Sequence, residues 1–126
     1  MEKLSNSESV IMKAVWSADQ ETSVSDLMNI LEERFGKSYK RTSIQTFLLK
    51  LEVKGFVTTT RRGKQAYIRP LVSEKDYMTW LFNSELSFWA NGDLGLYLSA
   101  LSEGTKLTQE DKDRLEKLLK TINEEN

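Results

Sequence analysis

Cysteine and histidine are both absent from this chain of 126 residues. The protein therefore has no thiolate nucleophile, no disulfide, no imidazole base and no Cys/His zinc site. Carboxylates remain as possible metal ligands, but they are scattered or lie in helical charge patterns, without EF-hand spacing or a phosphate-binding glycine loop. The sequence predicts no enzyme activity, no catalytic residue, no metal site and no cofactor.

Long apolar runs are missing as well. No segment approaches the roughly 18 consecutive apolar residues of a membrane helix, and the start MEKLSNSES lacks the apolar stretch of a secretory signal. We therefore expect a cytoplasmic protein with no membrane partner. Its content of 39% hydrophobic and 10% aromatic residues is typical of a folded chain.

Basic residues are concentrated in one part of the sequence, although the net charge is only −1. Residues 1–72 contain twelve Lys/Arg and eight Asp/Glu, whereas residues 73–126 contain six and eleven. Within residues 37–69, nine basic residues accompany Glu52 as the single acid. Such a block is typical of a phosphate-binding surface, and the alternative is a solvated basic face.

The first half of the chain has the periodicity of three short helices. Ser5 and Glu8 have capping-box spacing, which predicts a first helix that ends near Ser17. The second helix is expected to start at an N-cap Ser25 and to stop at Gly36. The third helix is predicted over 41–54. Its core-facing residues are Ile44, Phe47, Leu48 and Leu51, and the opposite side presents Thr42, Thr46, Leu49 and Val53.

After Gly55 the pattern changes to β-branched and aromatic runs, FVTTTRR and KQAYIRPL, which predict a hairpin wing over 57–70 with its turn near Gly63. Pro70 suits the end of an edge strand. The preceding segment 22–24 fits either a bend or a minimal strand. Three helices followed by a basic hairpin are the layout of a winged helix-turn-helix, which we assign to residues 1–72 as a DNA-binding domain.

The N-terminal part of the third helix is the part expected to enter the DNA major groove, where side chains read base edges. Longer cations around it suit phosphates. Thr42 or Ser43 could also serve simply as the helix cap. The predicted base-reading residues are Arg41, Thr42, Ser43, Gln45 and Thr46, and the predicted phosphate and wing contacts are Lys40, Lys50, Lys54, Arg61, Arg62 and Lys64.

Residues 73–126 are predicted to form a helical dimerisation domain of three helices. Ser73 with Asp76 starts the first, Asn91 and Gly92 end it, and Thr108 with Asp111 caps the last. The first of these helices is apolar around most of its circumference, so it requires a partner surface. The alternative is that these helices pack on the winged domain of the same chain. The predicted dimer interface comprises Tyr77, Trp80, Leu81, Phe88, Trp89, Leu94, Tyr97, Leu98, Leu101, Leu115, Leu118, Leu119 and Ile122.

Five segments, in this order, carry a resemblance to a known family: SESVIMKAVW, TSIQTFLLKLEVKGFV, GKQAYIRPLVS, GDLGLYLSAL and LTQEDKDRLEKLL. The chain resembles the penicillinase repressors, which include β-lactamase, methicillin-resistance and copper-responsive repressors. The resemblance implies dimeric binding to an operator that blocks transcription. Thr42, Ser43, Gln45 and Thr46 match the family's motif in the third helix.

Three features depart from that family pattern. Copper-responsive members carry a cysteine pair near the C-terminus, and this chain has none. Antibiotic-responsive members are cleaved at an Asn-Phe bond in the short C-terminal helix, and Ser99 and Ala100 occupy the matching positions here, which leaves that cleavage open. Leu49 is apolar where a polar residue is expected, so it either contacts thymine methyl groups or packs against the wing.

The sequence thus predicts a mainly α protein with a small β-hairpin that represses transcription as a homodimer on palindromic double-stranded operator DNA. An unidentified inducer or sensor protein is a further possible partner. One alternative is a winged-helix module for protein–protein interaction. Another is a regulator that binds a small molecule among Tyr77, Trp80, Trp89 and Tyr97.

Overall fold

The computed structural model describes residues 1–125, apart from the side chains of Asn123 and Glu125. Over this range the first three helices accompany a small antiparallel sheet, and three further helices follow it. The elements are α1 (Asn6–Ser17), β1 (Thr22–Ser23), α2 (Val24–Phe35), α3 (Arg41–Val53), β2 (Val57–Arg62), β3 (Gln65–Pro70), α4 (Glu74–Ala90), α5 (Leu94–Gly104) and α6 (Gln109–Glu125).

Local capping sets the ends of the first two helices. The Ser5 hydroxyl accepts from the backbone N–H of Glu8, whose carboxylate accepts from the backbone N–H of Ser5, so the predicted capping box of α1 is confirmed. Gly36 ends α2 with a φ of 62°, in the left-handed region that glycine adopts readily. The N-cap of α2 is Ser23, which accepts from the backbone N–H of Asp26. The prediction of Ser25 was wrong because α2 starts directly where β1 ends.

The sheet has the order β1-β3-β2, with both pairings antiparallel. Arg62 pairs with Gln65, which leaves a two-residue turn whose first residue, Gly63, has a φ of 63°. The predicted hairpin is therefore confirmed, and Thr22–Ser23 forms the minimal strand. The expectation of an edge strand at Pro70 was wrong because β3 is the central strand. The missing N–H is tolerated since β1 pairs only with residues 67 and 68.

Two compact units divide the chain, residues 1–82 and residues 83–126. The first unit has a continuous core to which α1, α2, α3 and the sheet all contribute. The first turns of α4 pack on this core, so the first unit extends to Phe82. The buried apolar residues are Leu4, Ile11, Met12, Ala14, Val15, Val24, Leu27, Leu31, Ile44, Leu48, Leu51, Phe56, Val57, Ile68 and Tyr77.

Two long-range hydrogen bonds fix the start of α4 on the first unit. The Tyr77 hydroxyl accepts from the backbone N–H of Leu4 at 2.8 Å, and the Trp16 indole donates to the carbonyl oxygen of Val72 at 2.8 Å. The Trp16 and Tyr77 rings meet edge to face with centroids 5.9 Å apart. Both aromatic residues thereby satisfy their polar groups while they bury their rings.

The second unit contains the end of α4 together with α5 and α6. Asn91 and Gly92 end α4 with φ values of 51° and 80°, as the sequence predicts. Asp93 caps α5, and α6 starts at the predicted reciprocal pair of Thr108 and Asp111. The backbone and side chain of Thr108 hydrogen-bond the Asp111 carboxyl and hold its pKa below the usual value.

Within the described part of the chain, no helix is both long enough and apolar enough to span a membrane. The same residues include no cluster of three or more acidic, histidine or cysteine side chains placed to hold a metal ion.

Candidate DNA-binding surface

Helix α3 separates its side chains into two faces. Ile44, Leu48 and Leu51 are buried and anchor the helix on the core, as predicted, and Phe47 is half-buried beside them. The residues predicted to read bases lie on the other side, where Arg41, Thr42, Gln45 and Thr46 are exposed and Ser43 is half-buried. The chain therefore leaves the polar side of α3 open to a partner.

The start of α3 is held by contacts other than a side-chain cap. Lys40 is the N-cap residue and makes no capping hydrogen bond, so the alternative role of Thr42 or Ser43 as cap was wrong. Arg41 donates to the hydroxyl of Ser25 at 3.0 Å and ties α3 to the first turn of α2. The Thr46 hydroxyl donates to the carbonyl oxygen of Thr42 at 3.0 Å.

The wing brings two further predicted residues to the same place. Arg61 and Lys64, near the hairpin tip, line a polar depression of about 250 Å³ together with Arg41 and Gln45 of α3. The depression also reaches Ser23 and the N-terminal residues of α2, where backbone N–H groups add positive potential. The fold thus unites α3 and wing residues that lie some 20 positions apart in the sequence.

Arg62, by contrast, is engaged within the chain. Its guanidinium forms an ion pair with the Glu21 carboxylate, and it lies over the Tyr67 ring with 4.0 Å between the guanidinium carbon and the ring centroid. The hydrogen bond that Arg62 donates to Glu21 raises the pKa of Arg62 above its already high value. A phosphate contact by Arg62 would have to compete with Glu21.

Lys54 also has a partner inside the chain. Its ammonium group lies 2.8 Å from Oε1 of Glu8, a carboxylate that is almost fully buried. Burial raises the pKa of Glu8, but hydrogen bonds from Lys54 and Ser5 outweigh this effect and hold the pKa below its usual value of 4.5. Glu8 Oε2 is buried without a hydrogen-bond partner among the described residues. The position of Lys54 therefore indicates a structural role rather than the predicted phosphate contact.

Four of the predicted phosphate contacts remain available. Lys40 is exposed just before α3, Lys50 is exposed on α3, and Arg61 and Lys64 are exposed on the wing. None of the four forms an ion pair with any residue in the part of the chain that the structure describes. The polar side of α3 is therefore surrounded by uncompensated positive charge, as phosphate contacts require.

The residues predicted to form a dimer interface fall into two groups. Tyr77 is buried in the first unit, so the chain itself covers it, contrary to the prediction, whereas Leu81 packs on the same core and is half-buried. Trp80 is half-buried, and the centroid of its ring lies 5.9 Å from that of Tyr77. The rest belong to the second unit, where Tyr97 and Leu115 are half-buried and Phe88, Trp89, Leu94, Leu98, Leu101, Leu118, Leu119 and Ile122 are exposed.

The same division bears on the predicted small-molecule pocket. Tyr77 and Trp80 lie in the first unit, while Trp89 and Tyr97 lie in the second, so neither unit contains all four aromatics. Trp89 instead meets Phe88, with 4.9 Å between ring centroids, and donates to the carboxylate of Glu85. The four residues therefore form no common pocket within either unit.

Comparison with known proteins identifies the family. The family model described as the penicillinase repressor matches residues 4–121. The chain belongs to the penicillinase repressor family. This repressor is 26% identical over 117 residues to the penicillinase repressor of Bacillus licheniformis, over 93% of this chain and 89% of that protein. It is 29% identical over 117 residues to an uncharacterised 16.5 kDa protein of Latilactobacillus sakei, over 93% and 78% of the two chains.

Solved structures agree with that assignment. The solution structure of the DNA-binding domain of the repressor BlaI is similar to this repressor, with a TM-score of 0.50 and 26% identity. The match covers 61% of this chain and 94% of that domain. RosR of H. salinarum is similar over 99% of this chain and 98% of its own, with a TM-score of 0.53 and 12% identity, a likeness of fold alone. The protein is therefore a DNA-binding transcriptional repressor of winged-helix fold and not an enzyme.

Proposed function

We propose that this repressor is a cytoplasmic homodimer that blocks transcription by binding palindromic operator DNA through α3 and the wing of each chain. The observation that carries the proposal is the exposure of Thr42 and Thr46 opposite the buried side of α3, with the exposed Gln45 on the flank. A helix anchored in this way can enter the major groove without disturbing the core.

The two kinds of side chain on this surface suit two kinds of contact. Gln can pair with adenine, Arg with guanine, and the Thr methyl group can touch a thymine methyl. Lysine and arginine on the flanks suit phosphates, which position the protein without specifying sequence. We assign base contacts to Arg41, Thr42, Ser43, Gln45 and Thr46, and phosphate contacts to Lys40, Lys50, Arg61 and Lys64.

The second unit supports the homodimer. Ala90 is the one fully buried apolar residue among its described residues, while Phe88 and Trp89 are 74% and 71% exposed. Large apolar side chains that are exposed next to one another are typical of an interface. A two-fold pair would place two copies of α3 about one turn of DNA, or a multiple of it, apart, which matches a palindromic site. We propose residues 83–126 as the main dimerisation region.

Footprinting on the DNA upstream of the repressor's own gene and its neighbours tests the proposal. A protected palindrome is expected, with binding that weakens as salt rises. Gln45→Ala should weaken binding to that site by about 1–3 kcal/mol relative to unrelated DNA. Asn29→Ala, which truncates an exposed, uncharged residue of α2, is the control and should leave binding unchanged. Absence of protection and of any salt dependence would refute the proposal.

The signal that releases the repressor is expected to come from an inducer or a sensor protein. Ser99 and Ala100 lie inside α5, so cleavage of the bond between them requires that helix to open first. A gene for a membrane sensor-protease beside the repressor gene would favour proteolytic release. Retention of full-length protein during induction would favour a bound inducer.

A further inference from the structure

Two exposed apolar side chains lie on the polar side of α3. Leu49 is 63% exposed and Val53 is 84% exposed. At about 100° per residue, they continue the line of Thr42 and Thr46, the most outward-facing positions of the helix. The core therefore requires neither side chain.

The wing does not cover Leu49 either. Leu49 borders a shallow depression of about 150 Å³ that also touches Thr59 and Ala66 of the hairpin. Most of the leucine surface nevertheless remains accessible to solvent. Of the two roles that the sequence suggested for Leu49, packing against the wing is thus not observed.

Polar and cationic residues flank Leu49, while the depression that it borders is lined by Val24, Leu48 and Ala66 and by the acid Glu52. Gln45 lies one turn before it, Lys50 follows it, and Arg61 and Lys64 lie on the neighbouring wing. An apolar partner protein would have to bury these charges with the leucine at a considerable cost. DNA instead offers phosphates to the cations and one apolar group in the major groove, the thymine methyl.

We infer that Leu49 is a specificity-determining residue that covers a thymine methyl group in each operator half-site. The inference rests on the proposed binding of operator DNA by α3 and names one base of that site. Leu49 lies about 4.5 Å further along the helix axis than Thr46, and successive bases on a strand are about 3.4 Å apart. The thymine is therefore one or two base steps from the base pair that Thr46 faces.

Val53 is less suited to this contact. It is the last residue of α3, and recognition helices read bases chiefly with their N-terminal residues. Its side chain is also shorter by one carbon. Leu49 is thus the apolar residue nearest to the predicted base-reading positions.

Replacement of a thymidine by deoxyuridine, written here as deoxyuracil for its base, removes only the methyl group and tests the inference. The purified full-length protein is first used to enrich its preferred duplex from random DNA. This duplex is the probe, and each thymine of one half-site is then replaced in turn. At one thymine, the replacement should weaken binding of the wild-type protein by about fourfold, the effect of exposing one buried methyl group. Leu49→Ala should bind the thymine and deoxyuracil duplexes equally at that position.

Leu71→Ala is the matched control, because Leu71 is 57% exposed and lies outside α3. This variant should retain the sensitivity of the wild-type protein to deoxyuracil. The inference would be overturned if the wild-type protein bound every deoxyuracil duplex as tightly as the thymine duplex. It would also be overturned if Leu49→Ala kept the fourfold difference between the two duplexes. Failure to enrich any sequence would instead refute operator binding itself, so the two failures are distinguishable.

Discussion

Lys54, at the end of α3, forms an ion pair with Glu8 of α1, with 2.8 Å between the ammonium nitrogen and Oε1. The side chain of Glu8 is 3% exposed, whereas that of Lys54 is 24% exposed. The lysine thus neutralises a carboxylate that the first helix holds inside the winged unit. The pair fixes the C-terminal end of α3 relative to α1 and thereby orients the surface proposed to meet DNA.

Lys54 and Lys64 should differ in their effect on the salt dependence of DNA binding. Lys64→Met removes a free cation of the wing and should reduce the slope of log affinity against log salt by about 0.9 per chain. Lys54→Met should leave the slope unchanged, because Lys54 neutralises Glu8 rather than a phosphate. Titration of duplex DNA at several salt concentrations measures both slopes. A lower slope for Lys54→Met would show that Lys54 leaves Glu8 and contacts DNA.

Glu8→Ala should destabilise the first unit. The change removes the capping-box hydrogen bond to Ser5 and the partner of Lys54, which together should lower the free energy of unfolding by about 1–3 kcal/mol. Urea unfolding measures the change. The double variant Glu8→Leu with Lys54→Met should recover much of it, because an apolar pair avoids the desolvation of two charges. A stability equal to that of the wild-type protein would mean that the pair contributes nothing.

Stability should also fall in acid. The pKa of Glu8 is lower in the folded chain than its usual value of 4.5, so the ionised carboxylate stabilises the fold above about pH 4.5. This stabilisation is lost as the pH falls through the folded pKa. Glu8→Gln should therefore show a smaller decrease below that pH in urea unfolding. Asp111, whose pKa is also lowered, contributes equally to the acid sensitivity of the wild-type protein and of Glu8→Gln. If the free energy of unfolding fell equally with pH in both proteins, Glu8 would not be a source of that sensitivity.

Glu21→Gln should strengthen binding to DNA of any sequence. The change releases Arg62 from its ion pair and adds a cation beside Arg61 and Lys64, so the salt slope should rise by up to about 0.9 per chain. Asp19→Asn alters the net charge equally, two residues away, and controls for the general electrostatic effect. If both variants bind DNA alike, the pairing of Glu21 with Arg62 does not restrain the wing.

Phe88→Asp should dissociate the proposed dimer. A charge at this exposed aromatic position would have to be buried without a partner, which is costly in an interface. Sedimentation velocity should then show a monomer, and operator affinity should fall while weak binding to unrelated DNA remains. Leu71→Asp places the same charge on the first unit and should stay dimeric. A dimeric Phe88→Asp would locate the interface elsewhere.

Signals that act within one helical turn made the elements predictable from the sequence. Ser5 with Glu8, Thr108 with Asp111, and Gly36 each define a helix end through atoms a few positions apart. The same holds for the turn at Gly63, whose backbone conformation glycine adopts readily. The apolar period of α3 likewise predicted which side of that helix is buried.

Relationships between distant residues were not predictable in this way. Lys54 and Arg62 look like free cations in the sequence because their acidic partners lie 46 and 41 positions away. Tyr77 reads as an interface aromatic because its hydrogen bond to Leu4 spans 73 positions. The misplaced N-cap of α2 has a local cause, since both Ser23 and Ser25 are good caps and only the pairing of β1 with β3 distinguishes them.

The hydroxyl of Thr46 already directs its proton at the carbonyl oxygen of Thr42. While this bond is kept, the hydroxyl can only accept a hydrogen bond from a nucleotide. In the major groove, adenine and cytosine present amino donors, whereas guanine presents two acceptors. The half-site should therefore turn an amino group toward Thr46. A guanine there would instead place its acceptor atoms against the acceptor oxygen of Thr46.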